Sequence, residues 1–131
     1  MGEAKKDDAG KLRYDLIPPD ALREVALVYT IGADKYGDNN YLGGLNYSRV
    51  IGAMMRHLEA FRCRESYDPD GQHHLASVAW FALTLIAYEQ RGLGTDDRPY
   101  LTLSEKLNVE AAKLQTTVIK EVPSDGQFRQ Y

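Results

Sequence analysis

The stretch RHLEAFRCRESYDPDGQHH, residues 56–74, separates two apolar segments and holds every histidine of the chain. Four carboxylates lie in the same stretch: Glu59, Glu65, Asp68 and Asp70. Gathering carboxylates and imidazoles between two core helices is costly unless something offsets the charge. A divalent cation is a partner of suitable charge. We therefore expect a functional site in this stretch.

Composition limits the classes of protein to consider. The 131 residues predict one domain. The net charge of −3, without a basic stripe, predicts no nucleic-acid binding. Cys63 is the single cysteine, so an internal disulfide and a cysteine-rich zinc site are excluded, and a reduced, cytoplasmic setting fits. The first residues lack the apolar run of a signal peptide. The apolar run 75–88 is too short to span a membrane.

Apolar periodicity predicts a first helix at about residues 20–36, with Asp20 as its N-cap and Gly37 as its end. Ser48 is the predicted N-cap of a second helix. His57 and Glu65 share its apolar stripe, whereas Glu59 points away from it. The following turn, YDPDGQ, is rich in Pro, Gly and Asp.

A third helix is predicted from about His74 to Arg91, and it is apolar on nearly every face. Such a helix needs neighbours on all sides, so we predict a homo-oligomer with this helix at its centre. A fourth helix is predicted at 104–117. The fold class is therefore all-α, with about four helices. We expect a disordered segment 1–10, a domain 11–117 and a tail 118–131, whose VIKEV run suggests a strand or arm.

The corner between the second and third helices offers oxygen and imidazole ligands, which suit Mg²⁺ or Mn²⁺. Two to three such ions can clamp a polyphosphate and activate a water. Structural roles explain the same residues without a metal. Asp68 and Asp70 can form the turn, and His57 can be a core histidine. Glu59 can pair with a neighbouring arginine at helical spacing.

The segment GADKYGDNNY, residues 32–41, carries candidate substrate contacts. Lys35 can meet a phosphate, Tyr36 offers a flat face to a base, and Asn40 can bond to a base edge. Lys11 and Arg13 are further candidates for phosphate contacts. The alternatives are an ordinary polar loop after a helix and plain surface charge.

Several catalytic schemes lack their motifs. Neither His57 nor the pair His73-His74 is followed by Asp, as a His-Asp phosphohydrolase would require. No GxxxxGK[ST] or strand-associated GxGxxG occurs, so Walker and Rossmann sites are excluded. No nucleophile elbow supports serine catalysis.

Five motifs follow one another in a fixed order: KLRYDLIPPDAL, GADKYGDNNY, RHLEAF, the E-x-x-D-x-D turn at 65–70, and HHLASVAWFAL. Over about residues 10–99 the chain resembles the phage dATP/dGTP diphosphohydrolases, a branch of the MazG-like all-α NTP pyrophosphohydrolases, and most of all the MazZ-type enzymes of phages with 2-aminoadenine genomes. Residues 100–131 carry no such resemblance.

The resemblance implies a MazG-like helical bundle that assembles as a dimer or tetramer. It also implies hydrolysis of a purine deoxynucleoside triphosphate, foremost dGTP, with GTP and dATP as further candidates, to the monophosphate and pyrophosphate with Mg²⁺ or Mn²⁺. Glu65, Asp68 and His74 match the family's turn best. Two departures are Arg64, where the family has Gly, and Asp70, where it has Glu.

Taken together, these residues give a hypothesis for a site. The metal ligands come from the corner, and the set is Glu65, Asp68, Asp70, His74 and Glu59. Catalytic roles fall to Glu59, Glu65 and His57, and substrate contacts to Lys35, Tyr36, Asn40, Lys11 and Arg13. Two rival interpretations stay open. One is a non-enzymatic helical oligomer with a regulatory role, whose carboxylates only pair with Arg62 and Arg64. The other is a house-cleaning pyrophosphohydrolase with broad base tolerance.

Overall fold

The computed structural model describes the backbone of residues 2–99 and 102–121. Its helices are α1 (Pro19–Tyr36), α2 (Tyr47–Arg62), α3 (His74–Arg91) and α4 (Thr102–Glu121). Short 3₁₀ turns span Tyr14–Leu16 and Asn40–Gly43. The described residues form no β-strand, only two isolated bridges. The all-α prediction is confirmed.

Two compact units divide the chain. One is Asp15–Arg98 and contains α1 to α3; the other combines the N-terminal segment up to Tyr14 with the chain from Pro99 onward. Within the first unit α3 is central, because α1 and α2 both pack against it. Helix α3 is apolar on more than one face because two of its faces are covered by neighbouring helices.

The core of the first unit is built around Tyr88 of α3, which is completely buried. Val50 and Tyr47 of α2 pack in the same cluster. A buried phenol needs a partner for its hydroxyl, and Tyr88 donates to the carbonyl oxygen of Tyr41 over 2.6 Å. Burial raises the pKa of Tyr88 above its ordinary value. This bond ties α3 to the 3₁₀ turn after α1.

An aromatic cluster fills the space between α1 and α3. The rings of Tyr29 and Tyr41 lie 5.8 Å and 6.2 Å from the ring of Trp80, measured between centroids. Trp80 meets Phe81 edge-to-face at 4.9 Å. Tilted and edge-to-face pairs at these distances add stabilisation beyond area burial. The cluster positions the end of α1 beside α3.

Both predicted N-caps are wrong. Helix α1 begins at Pro19, one residue before Asp20, because proline at the first helical position already has a helical φ and lacks the N–H that would be unpaired there. Helix α2 begins at Tyr47, so Ser48 lies inside its first turn. The backbone N–H and hydroxyl of Ser48 both donate to the carboxylate of Asp97, at 2.8 Å and 2.5 Å. The cap of α2 therefore comes from the loop after α3.

Helix α2 ends at Arg62, so the prediction that Glu65 continues its apolar stripe is wrong. The reason is Arg64, which has a left-handed φ of 71°. The N–H of Arg64 donates to Phe61 O and the N–H of Glu65 donates to Ala60 O, both over 3.0 Å. These two bonds form a Schellman motif, which terminates a helix.

The predicted bounds of α3 are confirmed. The helix begins at His74 and ends before Gly92, which adopts a left-handed φ of 66°. His73 is the N-cap, and its ring Nδ1 accepts from the N–H of Leu75 over 3.0 Å. This bond caps the N-terminus of α3, where His74 is the first helical residue.

The loop after α3 is held closely against the start of α2. Tyr47 N donates to Thr95 O, and Thr95 N donates to Leu45 O. Gly94, at a φ of 70°, passes so near that an added Cβ would lie 2.5 Å from Leu45 O. Only glycine fits such an approach. Residues 94–97 are therefore held in an ordered arrangement against the start of α2.

In the second unit, α4 extends beyond its predicted bounds and covers residues 118–121. The strand predicted for this part of the tail is wrong there, and residues 122–131 lie outside the described part of the chain. None of the helices in the described ranges is long and apolar enough to cross a membrane.

Candidate functional site

The turn between α2 and α3 is organised by Asp68. Its Oδ1 accepts from the N–H of Asp70 over 2.9 Å and from that of Gln72 over 3.0 Å. Asp68 N donates in turn to Gln72 O, and Gly71 N to Asp68 O. The turn-forming role of Asp68 is therefore confirmed. Its bonds within the described residues use Oδ1, which leaves Oδ2 for a ligand.

His57 of α2 and His74 of α3 face each other across the corner. Their Nδ1 atoms are 2.8 Å apart and their ring centroids 5.1 Å apart. Two Nδ1 atoms can share a hydrogen bond only if one carries the proton and the other does not. Partial burial lowers the pKa of His57, His74 and Arg56 act in the same direction, and Asp68 opposes them. His57 is therefore neutral at pH 7.

The second ring nitrogen of His74 is the most unusual atom of the corner. Nε2 is buried and has no hydrogen-bond partner among the residues that the structure describes. Oε2 of Glu65 lies 3.8 Å away, which is too far for a hydrogen bond. An unpaired buried nitrogen carries a desolvation cost. The Glu65 side chain is 71% exposed. The pair combines a buried nitrogen with a carboxylate that solvent and ligands can reach.

The end of α1 reaches the same turn. Lys35 Nζ lies 3.6 Å from Asp70 Oδ2, and both side chains are more than half exposed. Tyr36 and Asn40 follow Lys35 in the chain and are exposed. The structure thus places one predicted phosphate contact beside a predicted metal ligand. Tyr36 is the last residue of α1 and Asn40 the first of the following 3₁₀ turn.

Glu59 is not part of this corner. It pairs with Arg62 one turn along α2, through bonds of 2.7 Å and 2.9 Å. The guanidinium of Arg62 holds the pKa of Glu59 below its usual range. Its outward direction and the predicted pairing at helical spacing are confirmed. Lys11 and Arg13 are exposed residues of the other unit.

The donor atoms of the corner decide whether a divalent metal ion fits there. In residues 2–99 and the described part of α4, no three His, Cys, Asp or Glu side chains converge on one point. Mg²⁺, however, is commonly bound through one or two carboxylates, with substrate phosphates and water as the remaining ligands. The exposed carboxylate of Glu65, beside His74 Nε2, and Oδ2 of Asp68 are donors of the type that such a metal site uses.

Two residues of the corner were missed by the sequence analysis. Gln72 is buried and hydrogen-bonded to the backbone and side chain of Asp68. Phe81 packs its ring 5.9 Å from that of His57. Phe81 lies seven residues after His74 and so on the same face of α3, a spacing that could have identified it. Gln72 has no comparable signal, because turn residues follow no period.

The chain is similar to known proteins over most of its length. The family model "dATP/dGTP diphosphohydrolase, N-terminal" matches residues 1–98. A dATP/dGTP diphosphohydrolase of Salmonella phage PMBT28 is 41% identical over 75 residues, which are 56% of this chain and 26% of that protein. The chain thus spans about a quarter of this relative's length. No solved structure matches the chain significantly. The chain belongs to the dATP/dGTP diphosphohydrolase N-terminal family, and the matched range contains the whole corner built by Glu65, Asp68, Asp70 and His74.

Proposed function

We propose that this chain hydrolyses a purine deoxynucleoside triphosphate, dGTP or dATP, to the monophosphate and pyrophosphate. The family and the name of the phage relative support a nucleotide diphosphohydrolase. The observation that carries the proposal is the corner itself. It combines accessible carboxylates and a buried imidazole nitrogen, which has no hydrogen-bond partner among the described residues, with the ammonium group of Lys35 at the end of α1.

Mg²⁺ or Mn²⁺ is the proposed cofactor. Glu65, Asp68, Asp70 and His74 are the residues that would hold it, with the triphosphate and water as further ligands. When bound, the ion would neutralise phosphate charge and lower the pKa of a water. A small number of protein ligands is consistent with a site that substrate completes.

The residues of the chain itself have the following roles in this proposal. Lys35 binds a phosphate oxygen, and Asp70 keeps its ammonium group at the turn. Asp68 fixes the turn through its Oδ1, so Glu65 and His74 keep their relative positions. His57, neutral at pH 7, holds the His74 ring through the Nδ1–Nδ1 hydrogen bond and thereby aims Nε2 toward Glu65.

The bond proposed to break is the anhydride between the α- and β-phosphates. Water adds to the α-phosphorus, the bond from this phosphorus to the bridging oxygen breaks, and pyrophosphate leaves in line with the attack. One proton of the water is released. Tyr36 and Asn40, both exposed and shortly after Lys35 in the chain, are the proposed contacts for the purine.

The test is pyrophosphate release from dGTP in the presence of Mn²⁺. Glu65→Gln removes the charge of the carboxylate nearest His74 and keeps its shape, so we expect a loss of at least about 100-fold in kcat/KM. Glu89→Gln is the matched control, because Glu89 is an exposed carboxylate near the far end of α3. Equal activity of folded Glu65→Gln and wild-type protein would contradict the site.

A regulatory helical oligomer without activity is the rival from another class. It requires the carboxylates of the corner to be satisfied by Arg62 and Arg64. The structure shows this pairing for Glu59 alone among the four. Thermal shift separates the two functions, since a ligand at 100 times its Kd adds about 2.7 kcal/mol to the free energy of unfolding. No shift with Mn²⁺ and dGTP together would favour the rival.

Base preference and assembly are part of the same proposal. Competition among dGTP, dATP, dUTP and dCTP distinguishes a purine-specific enzyme from a house-cleaning one. A dimer or tetramer is expected because α3 keeps apolar side chains exposed in the single chain, among them Leu83 at 46% and Ile86 at 51%. Light scattering measures the assembly, and a monomer at micromolar concentration would contradict it.

A further inference from the structure

A second feature of α2 adjoins the corner and shares Phe81 with it. A pocket of about 360 Å³ opens along this helix, and its lining includes the guanidinium-bearing residues Arg49 and Arg56. Gly52 lies between them, and Phe81 of α3 forms part of the wall. This volume is within the usual range for small-molecule sites. Neither arginine was assigned a role in the proposed reaction.

The two arginines are held on one face of the helix. They are seven residues apart, two turns of helix, so their Cα atoms are separated by roughly 10 Å along the axis. Gly52, one turn after Arg49, leaves the surface between them open. The Arg56 side chain bends back over this gap, since a Cβ on Gly52 would lie 3.1 Å from Arg56 Nη1. The guanidinium is thereby placed over the pocket.

Neither guanidinium has an acidic partner in the part of the chain that the structure describes. Within the described ranges no carboxylate oxygen forms an ion pair with Arg49 or Arg56, whereas Arg62 and Arg98 are each paired with a neighbouring acid. In a chain of net charge −3, two unpaired guanidiniums beside one pocket are a local excess of positive charge. Arginine forms bidentate, charge-assisted hydrogen bonds to phosphate oxygens.

One carboxylate opposes this charge at the edge of the pocket. Asp97 bonds to Ser48, a lining residue next to Arg49. Both carboxylate oxygens of Asp97 accept hydrogen bonds from Ser48. These bonds reduce the negative potential that Asp97 adds at the pocket but do not remove it. Asp97 therefore lowers the affinity of the pocket for an anion. Replacing Asp97 by a neutral residue should raise this affinity.

We propose that Arg49 and Arg56 form a binding site for a polyphosphate anion of the pyrophosphate class. Arg56 reaches back over Gly52, which lies between the two arginines, so we expect one ligand with two phosphate groups to contact both guanidiniums. Leu45 and Phe81 provide an apolar wall of the pocket. The site needs no metal ion and does not depend on hydrolysis of the triphosphate.

The test is calorimetric titration of the full chain with inorganic pyrophosphate, in a buffer with a chelator and no divalent metal. We expect Kd to rise about tenfold in Arg49→Gln and in Arg56→Gln, and to fall severalfold in Asp97→Asn. The matched control is Arg91→Gln, an exposed arginine at the end of α3 that is outside the pocket. Thermal melting of each variant establishes that it is folded.

Three outcomes would overturn the inference. They are no pyrophosphate binding by the wild type, unchanged binding in folded Arg49→Gln and Arg56→Gln, and an equal loss in Arg91→Gln, which would show non-specific attraction. The proposed hydrolysis is separable from these outcomes. If the chain cleaves dGTP but Arg49→Gln and Arg56→Gln bind pyrophosphate as tightly as the wild type, the proposed function stands. The proposed pyrophosphate site is then wrong.

Discussion

Lys35, in the last turn of α1, places its Nζ 3.6 Å from Oδ2 of Asp70, in the turn between α2 and α3. The two residues are 35 positions apart in the sequence. Their contact joins the segment proposed to bind the substrate to the turn proposed to bind a metal ion. Each side chain is more than half exposed, so the pair remains accessible to a ligand.

This accessibility gives the first prediction. Lys35→Met should change the free energy of unfolding by less than about 1 kcal/mol, because exposed ion pairs contribute little. It should raise the KM for dGTP about tenfold, since a phosphate loses its cation. Steady-state kinetics and chemical denaturation measure the two effects. Lys113→Met is the matched control, as Lys113 pairs with Glu110 at the same distance of 3.6 Å on α4. An equal rise in KM for both variants would contradict the assignment of Lys35.

The buried hydroxyl of Tyr88 gives the second prediction. Tyr88→Phe removes the hydroxyl that donates to Tyr41 O, and this carbonyl oxygen keeps its second bond, from Gly44 N. We expect a loss of about 1 kcal/mol in the free energy of unfolding, measured by urea denaturation. Tyr67→Phe, which alters an exposed tyrosine, should change it by less than about 0.5 kcal/mol. A Tyr88→Phe variant as stable as the wild type would show that the hydroxyl is satisfied otherwise.

Arg64 gives the third prediction, because a side chain with a φ of 71° is strained. Arg64→Gly should stabilise the chain by roughly 0.5–1 kcal/mol, since glycine adopts this conformation without steric cost. Arg62→Gly, two residues earlier and inside the helix, should destabilise it. Thermal melting compares the two. If both glycines destabilise the chain to the same degree, the left-handed C-terminus of α2 is wrong.

The fourth prediction concerns pH. The hydrogen bonds from Ser48 hold the pKa of Asp97 below its ordinary value of 3.8. The folded state thus binds this proton less readily than the unfolded state. The contribution of Asp97 to stability is therefore present above pH 3.8 and is lost as pH falls through the lowered pKa. The wild type should be more stable than Asp97→Asn at pH 5, and the difference should shrink toward pH 3. Melting curves across this range measure it, and a constant difference would contradict the prediction.

Local patterns predicted the elements of the fold but not all of their ends. The bounds of α3 followed from its apolar run and from Gly92. Glu65 was wrongly predicted to lie on the apolar stripe of α2, because the helical periodicity was extended beyond Arg62, where the helix ends. Only a glycine at residue 64 would have signalled a helix end there, and this chain has arginine. The backbone adopts the left-handed conformation in spite of that residue.

Contacts that join distant segments could not be predicted from spacing. The bonds of Asp97 to Ser48 depend on the path of the chain after α3. The meeting of His57 with His74 depends likewise on how α2 packs against α3. The helical phase placed His57 on the packed face of α2. The helical phase could not predict that His74 is the partner of His57, or the distance between the two rings.

The aromatic cluster between α1 and α3 has a practical consequence. Trp80 is the single tryptophan of the chain, and it touches both Tyr29 on α1 and Phe81, whose ring faces His57. Its indole emission therefore originates from one known position, a single ring away from the corner. The protein carries an intrinsic optical probe there, and ligand titrations can follow it without a label.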